Sequence, residues 1–247
     1  MKNLFLFLFL LVVFTSKAQD NRVSGLNSRQ FTKYWKVESE SPDYKVTFQG
    51  DTAEIVSPKG LTLWRKEKMS GKVTIEYDAC VVVESDGDRL SDLNCFWMAS
   101  DPQYPDNLWK REKWRSGIFL NCYSLQLYYL GYGGNHNSTT RFRRYDGDES
   151  GITNPKARPA ILKEYTDAGH LLKPNHWYHI KITNENNRVS YYIDGERLVD
   201  FRDAEPLREG WFGFRTTLSR TRITNFSYEC SSQEAAVVPL QWIGETP

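Results

Sequence analysis

The sequence predicts an all-β protein, a two-sheet antiparallel β-sandwich, on three observations. Beyond residue 40, apolar and polar residues alternate with period two in one segment after another, as in strands with one wet face. Turn residues punctuate those segments at short intervals and no repeating helical segment separates them, which favours a sandwich over a parallel sheet. Aromatics make up 14% of the 247 residues, enough rings for broad sheets and too many for a disordered chain. With 40% apolar residues, one core of ordinary size is a better fit than two small ones.

Residues 1–18 read as a signal peptide. Met1 and Lys2 give a basic start, residues 4–14 are an unbroken apolar run of eleven, and Ser16-Lys17-Ala18 places small residues where a signal peptidase reads. The run is about half the roughly 20 residues a spanning helix needs. Cleavage after Ala18 leaves 229 residues, with 30 basic against 31 acidic side chains once Lys2 and Lys17 are removed. The expected product is exported, periplasmic or secreted, without membrane insertion, and too evenly charged for a nucleic-acid binder. No cysteine stands at the cleavage point to carry a lipid.

Residues 19–230 form the expected single domain, followed by a tail over 231–247. In residues 73–81, Ile75, Tyr77, Ala79 and Val81 point inward while Glu76 and Asp78 face out. Residues 178–182 and 189–193 make a meander whose second strand ends at Asp194-Gly195, a dipeptide suited to a tight hairpin. Residues 211–217 and 221–228 read as two strands joined by a short turn, and 118–130 holds one or two more. Polar loops cover 86–92, 101–106 and 145–167, and loops on a rigid sheet are where sites are built. Cys80, Cys95, Cys122 and Cys230 allow three pairings; buried thiols with at most one bridge are expected, since a core of this size needs no staples.

A resemblance adds to this reading. Residues 176–228 join a strand opening with Trp177, the Asp194-Gly195 hairpin, the run Gly210-Trp211-Phe212-Gly213-Phe214-Arg215 and a closing strand with Asn225-Phe226. This resembles the C-terminal half of concanavalin A-like jelly rolls, the fold of legume lectins, laminarinase-type hydrolases and several polysaccharide lyases. The upstream segments Asn94-Cys95-Phe96-Trp97-Met98-Ala99-Ser100-Asp101-Pro102, Gly131-Tyr132-Gly133-Gly134-Asn135 and Thr139-Thr140-Arg141-Phe142-Arg143-Arg144-Tyr145 are similar to an exported domain family of sugar-degrading bacteria, akin to the YesU-like polysaccharide lyase group. The resemblance implies the jelly roll; its chemistry has to be argued from the site, because the fold hosts hydrolases, lyases and plain sugar binders.

A laminarinase-type hydrolase needs two glutamates close together on one strand. Glu76 and Asp78 fit the first two positions of that motif, but Val81 or Val82 stands where the second glutamate belongs. Elimination from a uronic acid asks for a base, an acid and a cation that neutralises the carboxylate. If residues 141–145 are extended, Arg141, Arg143 and Tyr145 share one face, and guanidiniums beside a phenol are expected to bind an acidic sugar and lower the phenol's pKa. The reading is therefore a carbon-oxygen lyase acting by β-elimination on uronic-acid oligo- or polysaccharide, as a polysaccharide lyase or a nonreducing-end dehydratase. Tyr145 and His136 transfer protons with His170 in reserve, Arg141 and Arg143 face the carboxylate or sulfate, and Arg215, Asn94 and Trp97 position the sugar. The alternatives are a non-catalytic glycan-binding module and, second, a glycoside hydrolase. No cofactor is expected, and a structural calcium is the one ion that the acidic stretches 86–88 and 146–149 leave open.

Overall fold

The computed structural model describes residues 23–231; the expected leader over residues 1–18, and the expected tail beyond Ser231, lie outside the described residues. The strands in chain order are β1 (Val23–Ser24), β2 (Trp35–Ser39), β3 (Lys45–Gln49), β4 (Thr52–Arg65), β5 (Met69–Ser70), β6 (Lys72–Val81) and β7 (Leu93–Ser100). They continue with β8 (Gln126–Gly133), β9 (Thr139–Asp146), β10 (Lys163–Tyr165), β11 (Tyr178–Glu185), β12 (Arg188–Ile193), β13 (Glu196–Arg202) and β14 (Glu209–Ser231). The pairings among them are antiparallel, and two sheets result. Sheet one runs β10-β9-β8-β7 and is completed by the first half of β14, the second half of β4, and β2. Sheet two runs β13-β12-β11-β6 and is completed by the second half of β14, the first half of β4, and β3.

Strands β4 and β14 thus pass from one sheet to the other. The two strands expected at 211–217 and 221–228 are one strand, because the Ser/Arg segment between them makes a bulge and not a turn. Its register slips between Thr217 and Ser219, where Leu218 has φ +49. A bulge bends the strand without breaking it. The meander is as expected: Ile193 pairs with Glu196 across Asp194 and Gly195, whose φ values of +50 and +84 make the two-residue hairpin turn. Residues 118–130 hold a short 3-10 turn, Leu120–Ser124, and one strand.

Between the sheets lies the main core. Ile75, Tyr77, Ala79 and Val81 of β6 point into it as the alternation requires, and Ile180, Ile182 and Tyr191 join them. Glu76 and Asp78 lie on the outer face of sheet two, against Lys181 and His179. A smaller core sits on the outer face of sheet one, where Phe96, Leu127, Tyr145 and Trp211 are covered by Leu108, Cys122, Tyr123 and Leu125 from the long segment between β7 and β8. The four cysteines are free thiols; burial pushes Cys95 up to about 12 and Cys122 to about 11, so neither forms a thiolate readily. Among the described residues no helix is long and apolar enough to cross a membrane.

Candidate functional site

The sheet register assembles the site. Arg141 on β9 pairs with Gly131 on β8, Gly131 with Asn94 on β7, Asn94 with Arg215 on β14, and Arg215 with Thr62 on β4. Directly cross-strand residues share a face, so these five positions form one row across the outer face of sheet one. From Arg141 to Arg215 there are three inter-strand steps, about 14 Å. The neighbouring row on the same face is Arg143, Tyr129, Phe96, Gly213 and Trp64.

The first row from Arg141 to Arg215 lines a groove of about 460 Å³. Of the residues singled out in the sequence, Arg141, Arg143, Asn94, Arg215 and His136 line it together; Arg89, Arg158, Phe119, Tyr123 and Tyr129 join them. Five guanidiniums face two carboxylates of the lining, Glu40 and Asp92. Gly131 makes room for the Tyr129 phenol, which lies over it and would collide with a Cβ there.

Each arginine is held. Arg215, buried, donates to the Gly117 carbonyl, lies 4.0 Å from Glu40, and stacks over Phe119 at 5.6 Å. Arg89 pairs with Asp92 at 2.7 Å and donates to the Thr217 carbonyl. Asp92 accepts from Asn94 Nδ2 at 3.2 Å, and Asn94 Oδ1 is buried without a partner among the described residues. Arg141 pairs with Glu164 at 2.5 Å. Arg143 donates to the Pro159 carbonyl, and Arg158 to that of Gly151 at 3.4 Å.

His136 stands on a left-handed turn after β8. Asn135, His136 and Asn137 have φ values of +52, +58 and +57, a conformation that costs side chains of order 1–3 kcal/mol each. The turn persists because Asn137 grips the backbone of Leu172 from both sides, accepting from its N–H at 2.8 Å and donating to its carbonyl at 2.9 Å. Asn135 donates to Thr139 Oγ1 at 3.1 Å. These contacts hold the backbone of the turn, which places the exposed His136 at the groove edge.

Three expected site residues are elsewhere. Tyr145 shares the face of Arg141 and Arg143 but lies one row beyond them, under the segment linking β7 and β8. It packs on Tyr123 at 5.2 Å and Tyr129 at 5.8 Å between ring centroids, and is fully buried. Burial raises its pKa well above the ordinary tyrosine value, with Arg143 opposing weakly; the lowering expected from nearby cations does not occur. Burial likewise raises Tyr123 and Tyr129 against the pull of the arginines. Trp97 points into the main core, stacked on Phe142, because β7 is regular from Asn94 to Trp97 and slips register only afterwards. His170 lies off the groove, stacked on Tyr165 at 4.0 Å and bonded to Asp167 and Glu196; partial burial lowers its pKa, and the two carboxylates outweigh this and raise it. Among the described residues no cluster of three metal ligands occurs.

The Tyr145 hydroxyl has no hydrogen-bond partner among the described residues. An unpaired buried hydroxyl is unfavourable, so Tyr145→Phe is expected to leave groove binding unchanged and to stabilise the fold by up to about 1 kcal/mol. Urea unfolding with both proteins checks this, and a loss of more than about 1 kcal/mol contradicts the burial argument.

Residues 55–226 match the family described as domain of unknown function DUF6250. The chain belongs to this family. The match takes in every groove arginine, whereas Glu40 lies upstream of it. No curated protein matches the DUF6250 chain. Among solved structures it is similar to a Bacillus subtilis protein of unknown function with a galectin-like fold, at 16% identity, over 86% of this chain and 96% of that one, with a TM-score of 0.66. It is also similar to the carbohydrate binding module CBM66 from Bacillus subtilis, at 16% identity over 79% and 94%, TM-score 0.53. A third is the VIP36 exoplasmic/lumenal domain in its Ca2+/Man3GlcNAc-bound form, at 8% identity over 88% and 91%, TM-score 0.57. At these identities the likeness is one of fold, the galectin- and lectin-like sandwich.

Proposed function

We infer that the groove of this DUF6250 domain binds an acidic oligo- or polysaccharide. The observation that carries the reading is the charge of the site: five arginines against two carboxylates, arrayed along and around a row about 14 Å long. That length suits several linked sugars better than one. Rings of Phe119, Tyr123 and Tyr129 offer apolar surface for sugar C–H faces, and the arginines offer paired donors for carboxylate or sulfate. The fold likeness to a carbohydrate binding module and to an exoplasmic/lumenal domain in its Ca2+/Man3GlcNAc-bound form supports the same reading. The leader-like residues 1–18 fit a protein exported to meet such a glycan.

β-Elimination is the second reading, favoured by His136 on the rim of the same groove. The raised phenols weigh against it, since a base has to lose its proton near neutral pH. Hydrolysis has less support still: Glu76 and Asp78 lie on sheet two, and the groove's Asp92 is tied to Arg89 and Asn94.

One assay separates these readings. The protein is passed over immobilised acidic and neutral glycans at low and high salt, and the acidic glycan is then incubated with it and followed by ultraviolet absorbance and reducing ends. Retention on acidic glycan that weakens with salt, with neither product, is the expected result. Unsaturated product moves the conclusion to a lyase, and absence of retention on any acidic glycan contradicts the proposal.

A further inference from the structure

We propose that Arg143 and Arg158, beside the Tyr123 ring, form the subsite that takes the oxyanion of the sugar, a uronate carboxylate or a sulfate ester; the assignment rests on reading the groove as an acidic-glycan site. The five groove arginines fall into two sets. Arg89, Arg141 and Arg215 each have a carboxylate at hand, in Asp92, Glu164 and Glu40. The charge of each of these three is offset in part before a ligand arrives, most for Arg89 and Arg141 and least for Arg215 at 4.0 Å. Arg143 and Arg158 have none among the described residues, and each is fixed by a backbone carbonyl, which orients a guanidinium without cancelling its charge. A guanidinium has five N–H donors, so one such bond leaves several available on each.

Local packing brings these two side chains together. Arg143 projects from β9 and donates to the carbonyl of Pro159, the residue after Arg158. The Arg158 guanidinium lies 6.0 Å from the centre of the Tyr123 ring. Gly151 closes the arrangement: a Cβ there would rest against both the Arg158 backbone and the Tyr123 ring, so a bare backbone lets the 150–158 segment fold down beside Tyr123. Two like charges lining one groove beside the same ring, with no carboxylate partner among the described residues, repel each other, and an incoming oxyanion relieves that repulsion while accepting charge-assisted hydrogen bonds.

The test is calorimetric titration of the full chain, as wild type, Arg143→Gln, Arg158→Gln and Arg141→Gln. The probes are tetragalacturonate, a sulfated galactotetraose and uncharged galactotetraose. Arg143→Gln and Arg158→Gln are each expected to weaken the acidic probe about ten- to a hundredfold while leaving the uncharged probe within about twofold, and Arg141→Gln to weaken the acidic probe by less than about fivefold. Whichever acidic probe wild type prefers identifies the substituent. Arg158 is exposed, so its loss does not threaten the fold. Acidic-probe affinity unchanged in both variants, or an equal loss for the uncharged probe, overturns the subsite while the groove reading stands. Wild type binding neither acidic probe overturns both.

Discussion

Replacing Arg115 by Ala is expected to destabilise the protein by about 3–5 kcal/mol, the range for breaking a buried ion pair by removing one partner. Arg115 is fully buried, pairs with Glu38 of β2 at 2.6 Å, donates to the Leu108 carbonyl at 2.5 Å, and lies 3.7 Å from Asp101. Glu38 is itself buried, and desolvation holds its pKa above the ordinary glutamate value despite the guanidinium beside it. Truncating Arg115 strands that carboxyl without a counter-charge. For a domain of this size the loss corresponds to a fall in Tm of about 6–20 °C. It also loosens the segment linking β7 and β8, whose Gly117 carbonyl and Phe119 ring hold Arg215, so glycan affinity drops as well. Thermal unfolding and titration of the same samples check both effects. Pairing Arg115→Met with Glu38→Leu leaves neither charge buried and is expected to cost less than Arg115→Ala alone. A single variant within about 1 kcal/mol of wild type means that the ion pair does not anchor the segment.

Trp97→Ala is expected to cost a similar about 3–5 kcal/mol, with a different signature. Trp97 is fully buried and contacts Tyr128, Phe142 and Tyr191 at 5.7–6.1 Å between ring centroids, which joins β7 to its neighbours and to β12 of the opposite sheet. It points away from the groove. Stability measured by urea unfolding falls, while the affinity of the fraction that remains folded, measured well below the unfolding temperature, stays within about twofold of wild type. A selective loss of glycan affinity with stability intact places Trp97 at the site and contradicts the observed register.

What was legible in the sequence follows from the periodicity of strands. The alternation in residues 141–145 put Arg141 and Arg143 on one face, and that relation holds in the structure; the same alternation along β7 turns Trp97 to the face opposite Asn94, so the expectation that both position the sugar fails. Alternation specifies a face and not a depth along it. That is why Tyr145, on the correct face, ends beneath a cover whose residues Cys122, Tyr123 and Leu125 fall in the 118–130 segment, read from sequence as strand. The cross-strand register that aligns Arg141 with Arg215 arises from pairings between segments far apart in the chain, and no local pattern encodes them. Arg89 and Arg158 come from the polar loops 86–92 and 145–167, which read as places for a site but have no period that singles out a residue. Tyr129 was readable in principle, since it alternates with Gly131 on the strand next to the arginines.

The central claim is that an acidic glycan lies along the outer face of sheet one. A crystal structure of the protein with the tightest-binding acidic oligosaccharide tests it most directly. The expected result is sugar density against Tyr129 and Asn94 between Arg141 and Arg215, with an oxyanion on Arg143 and Arg158. Density on the outer face of sheet two, around Glu76 and Lys181, with the arginine groove empty, would contradict it.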